Sequence, residues 1–150
     1  MILRYNSICR FPSAFEQLTG LNLNEFGRLL EAISPVYTET ERRRHNRPNR
    51  QRAIGGGEQM QLSLEDQLIL TLIWRRHYPR QDVLGQFFGV SQPTVWRCTE
   101  RISPLLVETA CCRNAAPDPG RKQRQTKGEL LENIPELVDI IGYYLDVISF

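Results

Sequence analysis

The stretch QDVLGQFFGVSQPTVWRCTERI, residues 81–102, carries two glycines four positions apart and then a serine, and this spacing constrains the fold more than any other feature. Gly85 falls where a short helix, Gln81 to Phe88, would cross the next at a steep angle, and such a crossing needs a small residue at the point of contact. Gly89 follows where the chain must turn with positive φ, a conformation glycine adopts without steric cost. Val90 lies just inside the turn and can plug the core. The Ser91 hydroxyl can cap a second, longer helix running to about Glu108, bent or broken near Pro104. Val95, Cys98 and Ile102 share one side of that helix and can pack back on Leu84 and Phe88. This is the punctuation of a helix-turn-helix.

The surrounding sequence reads as mainly α: a small helical bundle containing the helix-turn-helix, with basic loops and a short extended C-terminal tail. Residues 1–41 form an N-terminal helical segment, of which 1–20 are weakly patterned. Asn22 and Glu25 then have N-cap and N3 spacing, followed by Phe26, Leu29, Leu30 and Ile33 as one apolar stripe. Pro35 is expected to interrupt this helix, with a second short one from Val36 to about Glu41. Residues 42–60 read as an Arg/Gly-rich linker, because Arg42, Arg43, Arg44, Arg47, Arg50 and Arg52 stand among no acid and no large apolar group, and Gly55, Gly56 and Gly57 follow.

The helix-turn-helix domain is placed at 61–112. Ser63 and Asp66 fit a capping box before LSLEDQLILTLIWRRHY, where Leu64, Leu68, Leu72 and Ile69, Ile73 make two adjacent stripes. That helix should be broadly buried and end at Pro79. Residues 113–133 read as a basic loop and 134–150 as a strand-like tail rich in β-branched and aromatic residues.

Composition narrows the functional classes. Charged residues make up 24% of the 150-residue chain, which excludes wholesale disorder. The formal net charge is only +2, but 17 of the 19 basic residues are arginine, whose planar fork suits phosphates and guanine edges. Cys9, Cys98, Cys111 and Cys112 form no C-x-x-C pair, so no zinc site is expected, and Cys98 reads as a small core residue. There is no secretory apolar region and no run long enough to span a bilayer, so the expectation is a soluble, cytoplasmic chain with no membrane partner.

If Val95, Cys98 and Ile102 face inward, Gln92, Trp96, Arg97, Glu100 and Arg101 face outward. A helix presented in this way fits the major groove of double-stranded DNA with its first turns toward the base edges. Gln92 is the first candidate base reader, as an amide suited to adenine, and Arg97 the second, for guanine or a phosphate. Trp96 either packs against a neighbouring helix, the simpler reading, or stacks on the nucleic acid. Ser91, Thr94 and Arg101 are candidate phosphate contacts, with Arg75 and Arg76 from the preceding helix and the run Arg42, Arg43, Arg44, Arg47, Arg50 and Arg52 as an arm tracking phosphates. His77, beside two arginines, reads as a solvated side chain. No catalytic residue and no metal ligand is expected.

LTGLNLNEFGRLLEAI (18–33), the arginine-rich spacer, GGG at 55–57, the long segment 62–97 and I-x-P-L-L at 102–106 occur in an order that resembles the N-terminal region of DDE-superfamily insertion-sequence transposases. The resemblance covers about residues 18–137. It implies recognition of an element's terminal inverted repeats by the helix-turn-helix, nucleoid association, and a following nuclease domain with three acids and two divalent metal ions such as magnesium. It also admits a second copy of the chain, or a full-length transposase, as partner. Beyond Leu137 the sequence VDIIGYYLDVISF no longer resembles the family's first nuclease strand, and neither Asp139 nor Asp146 can be placed as the first catalytic acid. The expectation is therefore a truncated or frameshifted transposase, not an enzyme as it stands and without cofactor. The alternatives are a DNA-binding repressor of transposition or transcription and a helical protein-interaction module.

Overall fold

A computed structural model describes residues 3–46, 48, 62–109 and 127–133. In chain order its helices are α1 (Tyr5–Ile8), α2 (Pro12–Thr19), α3 (Leu23–His45), α4 (Leu64–His77), α5 (Gln81–Phe88), α6 (Gln92–Glu108) and α7 (Lys127–Asn133), and no β-strand lies among the described residues. The expected helical bundle is what is observed. The extended tail at 134–150 and the glycines at 55–57 lie outside the described residues.

Three helices start where the sequence puts a cap. The Asn22 side chain accepts from the Glu25 amide at 2.8 Å, Ser63 from the Asp66 amide at 3.2 Å, and Ser91 from the Thr94 amide at 3.4 Å. Each satisfies one of the amides that a helix leaves without an internal partner.

Two expected breaks do not occur. Helix α3 runs unbroken through Pro35 and α6 through Pro104. A proline removes one helical hydrogen bond and leaves a carbonyl four residues earlier without its donor. Pro35 and Pro104 are both exposed, and so are Glu31 and Glu100, four residues before them. The freed carbonyls thus lie on the water side, where solvent can take the bond. The continuation of α3 to His45 also places Arg42, Arg43 and Arg44 on a helix, where the sequence suggested the start of a linker.

Helix α4 is the centre of the bundle. Every residue from Asp66 to Ile73 is buried, and the helix packs against α1, α2, α3, α5 and α6. Within the weakly patterned N-terminal stretch, residues 3–20 include α1 and α2 and supply Leu3, Ile8, Phe15 and Leu18 to the same core as Leu68, Ile69, Leu84 and Val95. Phe26 ties the three N-terminal helices together, stacked on Tyr5 at 5.5 Å and edge-on to Phe15 at 5.2 Å between ring centroids. The N-terminal segment and the helix-turn-helix therefore share one core. The stretch read as a loop at 113–133 contains α7, whose Leu131 packs against that core.

A polar clasp joins the chain's start to the helix-turn-helix. Leu3 donates its amide to the Phe87 carbonyl at 2.9 Å, and Arg4 Nη2 donates to the Phe88 carbonyl at 2.8 Å. These are carbonyls of the last turn of α5, which the helix itself cannot satisfy. Asp66, at the start of α4, accepts the Tyr5 amide at 2.8 Å and pairs with Arg4 Nη1 at 3.3 Å. The Asp66 side chain is only 12% exposed, so losing it would leave a shielded guanidinium and an amide short of their acceptor. Asp66→Ala is expected to lower stability by about 2 kcal/mol, read as a lower urea midpoint. The double variant with Arg4→Ala should lose less than the two single losses added together. Strict additivity would show that the two side chains do not act as a pair.

Candidate nucleic-acid interface

The turn between α5 and α6 is built from two glycines with different duties. Gly89 ends α5 at φ 68 and ψ 34, in the left-handed region. Gly85 makes room: a Cβ there would sit 2.6 Å from the Val90 carbonyl oxygen, with the Ser91 and Gln92 backbone close behind. The close neighbour is thus the turn's own backbone, folded back on α5, rather than a side chain of the crossing helix. The Gly85 carbonyl accepts the Val90 amide at 2.9 Å and also the Gly89 amide. Val90 is half-buried against the core, as a plug for the turn should be.

Helix α6 is sharply two-sided. Val95, Cys98, Thr99, Ile102, Leu105 and Leu106 are buried. Burial in this apolar setting pushes the Cys98 thiol pKa up, consistent with a packing residue and opposite to what a nucleophile needs. On the other side Ser91, Gln92, Pro93, Arg97 and Glu100 are exposed, and Trp96 is 53% exposed, an unusual setting for so large an apolar ring. The simpler reading of Trp96, packing on a neighbouring helix, does not hold among the described residues. Arg97 makes no hydrogen bond or ion pair with any described residue, and its charge projects into solvent. Ser91 Oγ and Thr94 Oγ1 lie 2.9 Å apart and occupy each other at the helix start, with Thr94 half-buried.

The other arginine candidates divide by what already holds them. Arg75 is buried at 8% exposure and is not available to a phosphate. Arg76 is exposed, but its Nε donates at 3.1 Å to the Gln17 carbonyl, at the end of α2. His77 Nε2 meets the same carbonyl at 3.0 Å, and the ring is half-buried where a solvated one was expected. Burial lowers the His77 pKa, opposed by the hydrogen bond to the Gln17 backbone and aided by the Arg76 charge, and the net lowering favours the neutral ring. Arg101, expected to face outward, is 12% exposed and pairs through Nε with Glu41 Oε1 on α3 at 3.4 Å. It joins α3 to α6 inside the protein. Arg42, Arg43 and Arg44 are exposed at the end of α3 and pair with Glu39 and Glu41. Arg47, Arg50 and Arg52 lie outside the described residues.

Two features of this surface escaped the sequence reading. Glu39 and Glu41 stand three or four positions before the arginines they hold, a spacing that signals pairing on a helix once α3 is known to continue. The clasp of Leu3, Arg4 and Tyr5 joins residues 61 or more positions apart, for which no local pattern exists. Among the described residues, no group of three His, Cys, Asp or Glu side chains is placed to hold a metal ion, and no helix is long and apolar enough to cross a membrane.

A helix held by one face against α3, α4 and α5, with a tight glycine turn before it and a polar first half outward, is the arrangement of a DNA-binding helix-turn-helix. Residues 60–112, about a third of the chain, match the family described as the helix-turn-helix of DDE superfamily endonuclease. This segment is thus similar to the helix-turn-helix that DDE-superfamily endonucleases carry. No curated protein and no solved structure gives a significant match.

The turn's geometry predicts a contrast between two glycines. Gly85→Ala must displace backbone at Val90 and is expected to destabilise by about 1–3 kcal/mol. Gly27→Ala, in α3, meets nothing within 4 Å and should stabilise by up to ~1 kcal/mol through helix propensity. Thermal or urea unfolding of the two variants checks both signs.

Proposed function

We propose that this chain binds double-stranded DNA by laying the first two turns of α6 in the major groove, and that its cognate sites are the terminal inverted repeats of an insertion sequence. The observation that carries this reading is the exposure of Gln92, Trp96 and Arg97 on a helix whose opposite face is fixed in the core. The family match over the same segment supports it.

Each residue then has a role set by its chemistry. Gln92, in the first turn, offers an amide that can pair with adenine, and Arg97 a fork for guanine or a phosphate. Trp96, between them in sequence, presents an apolar face to a deoxyribose or a thymine methyl group. The start of α6 at Ser91 and Thr94 directs the positive end of the helix dipole toward a phosphate. Glu100 is exposed one turn beyond Trp96 and would repel phosphates, which confines the reading stretch to the first two turns. The arginines at the end of α3 add contacts to the DNA backbone that position without reading sequence. Recognition of the ends is the share of transposition assigned to these residues. Strand cutting and joining belong to the nuclease that accompanies this helix-turn-helix in its family, working in the cytoplasm at the nucleoid.

Affinity should fall about 10³-fold or more between 50 and 200 mM salt if roughly six to eight phosphates are neutralised. Gln92→Ala and Arg97→Ala should each lose ~1–3 kcal/mol on the cognate terminal repeat. Gel-shift titrations against the repeat and a scrambled duplex check both expectations. Equal affinity for the two duplexes would refute sequence-specific recognition.

A further inference from the structure

The end of α3 carries three consecutive arginines, and a carboxylate one turn earlier already occupies two of them. Arg42 grips Glu39 with both arms of its fork, Nε to Oε2 at 3.0 Å and Nη2 to Oε1 at 2.9 Å. Arg43 Nε adds a third bond to Oε1 at 3.1 Å. These hydrogen bonds hold the Glu39 pKa at about 2, so it is a carboxylate at any pH where the protein would meet DNA. The side chains of Arg42 and Arg43 are 66% and 78% exposed.

This end of α3 lies beside the reading helix. Glu41, wedged between the two helices, accepts from Arg44 at 3.0 Å and faces Arg101 of α6 at 3.4 Å. Arg101 stands one turn from Arg97 on α6. This adjacency is what would bring Arg42 and Arg43 toward a duplex seated on the first turns of α6. An arginine fork accepts a phosphate in the geometry in which it accepts a carboxylate.

We propose that Glu39 is a specificity-determining residue: its carboxylate occupies the Arg42 and Arg43 forks in the unbound protein and so restrains the attraction of α3 for DNA phosphates of any sequence. The inference rests on the DNA-binding reading above. Exposed ion pairs are weak, so Glu39 tunes these arginines without blocking them, and a duplex held by other contacts can displace it. Phosphate attraction is shared by every duplex, whereas base contacts are made only on the correct one. Restraining the shared part limits loss of the protein to irrelevant DNA. Glu41 differs in kind, because its side chain is only 17% exposed and it joins α3 to α6.

The test uses the full chain and a fluorescent random-sequence duplex, with binding read by anisotropy across a salt series. Glu39→Gln keeps the shape and helix propensity of the side chain. It is expected to tighten binding about two- to fivefold and to steepen the slope of log affinity against log salt by about 1 to 2. In an Arg42→Ala, Arg43→Ala background the same substitution should change affinity little. A gain of equal size in that background would mean that net charge alone is responsible and would overturn the proposal. Unchanged or weaker binding by Glu39→Gln, with the wild type binding normally, would overturn it while leaving the DNA-binding reading intact. A wild-type chain that binds no duplex, random or terminal-repeat, would overturn both.

Discussion

Helix α4 is buried on all sides from Asp66 to Ile73, and the rest of the molecule is arranged to hide it. A helix buried around its whole circumference, with Leu68, Ile69, Leu70, Leu72 and Ile73 on most of it and Gln67 and Thr71 on the rest, cannot rest against a single neighbour. Covering it requires α1, α2 and α3 as well as α5 and α6. The orientation of α6 follows from this. Val95, Cys98, Ile102, Leu105 and Leu106 are drawn into the shared core, and the same rotation carries Gln92, Trp96 and Arg97 outward. The N-terminal helices thereby help to set the pose of α6 although they lie outside the matched family segment. The clasp from Arg4 to Asp66 and Phe88 strengthens that link at the end of α5, just before the turn.

Electrostatics on this surface is less generous than the count of arginines suggests. Arg75 is buried, Arg76 caps α2, Arg101 joins two helices, and Arg42 and Arg43 share one glutamate. Among the arginine candidates of α4 and α6, Arg97 alone has no partner among the described residues. On the reading proposed above, such an arrangement would leave discrimination to a few groups on α6 and hold several of the described arginines under restraint, so that total charge and specific affinity would be separable properties.

Much of the fold was legible because its punctuation is local. Asn22 with Glu25, Ser63 with Asp66 and Ser91 before α6 are caps that act within three residues, and the helix Gln81–Phe88 with its left-handed Gly89 follows from glycine chemistry alone. The inward and outward faces of α6 follow from helical spacing, which is why Val95, Cys98 and Ile102 on one side and Gln92 and Arg97 on the other were correctly separated. Pro35 and Pro104 misled because a proline's effect depends on whether the carbonyl it orphans faces water, and that depends on which way the helix is rotated in the bundle. The fates of Arg75 and Arg101 were hidden for a similar reason: charge is visible in a sequence, but the partner that holds it belongs to another helix. Residues 1–20 gave no strong periodicity because α1 and α2 are only 4 and 8 residues long.

The central claim, that the first two turns of α6 meet the groove, is most directly tested by recording amide and indole correlation spectra of the full chain as a terminal-repeat duplex is added. The largest shifts are expected at Ser91, Gln92, Arg97 and the Trp96 indole, with the half-buried Trp74 indole, set against Tyr78, unmoved. Shifts gathered on the outer faces of α1 and α2, with Trp96 and Arg97 unchanged, would contradict it.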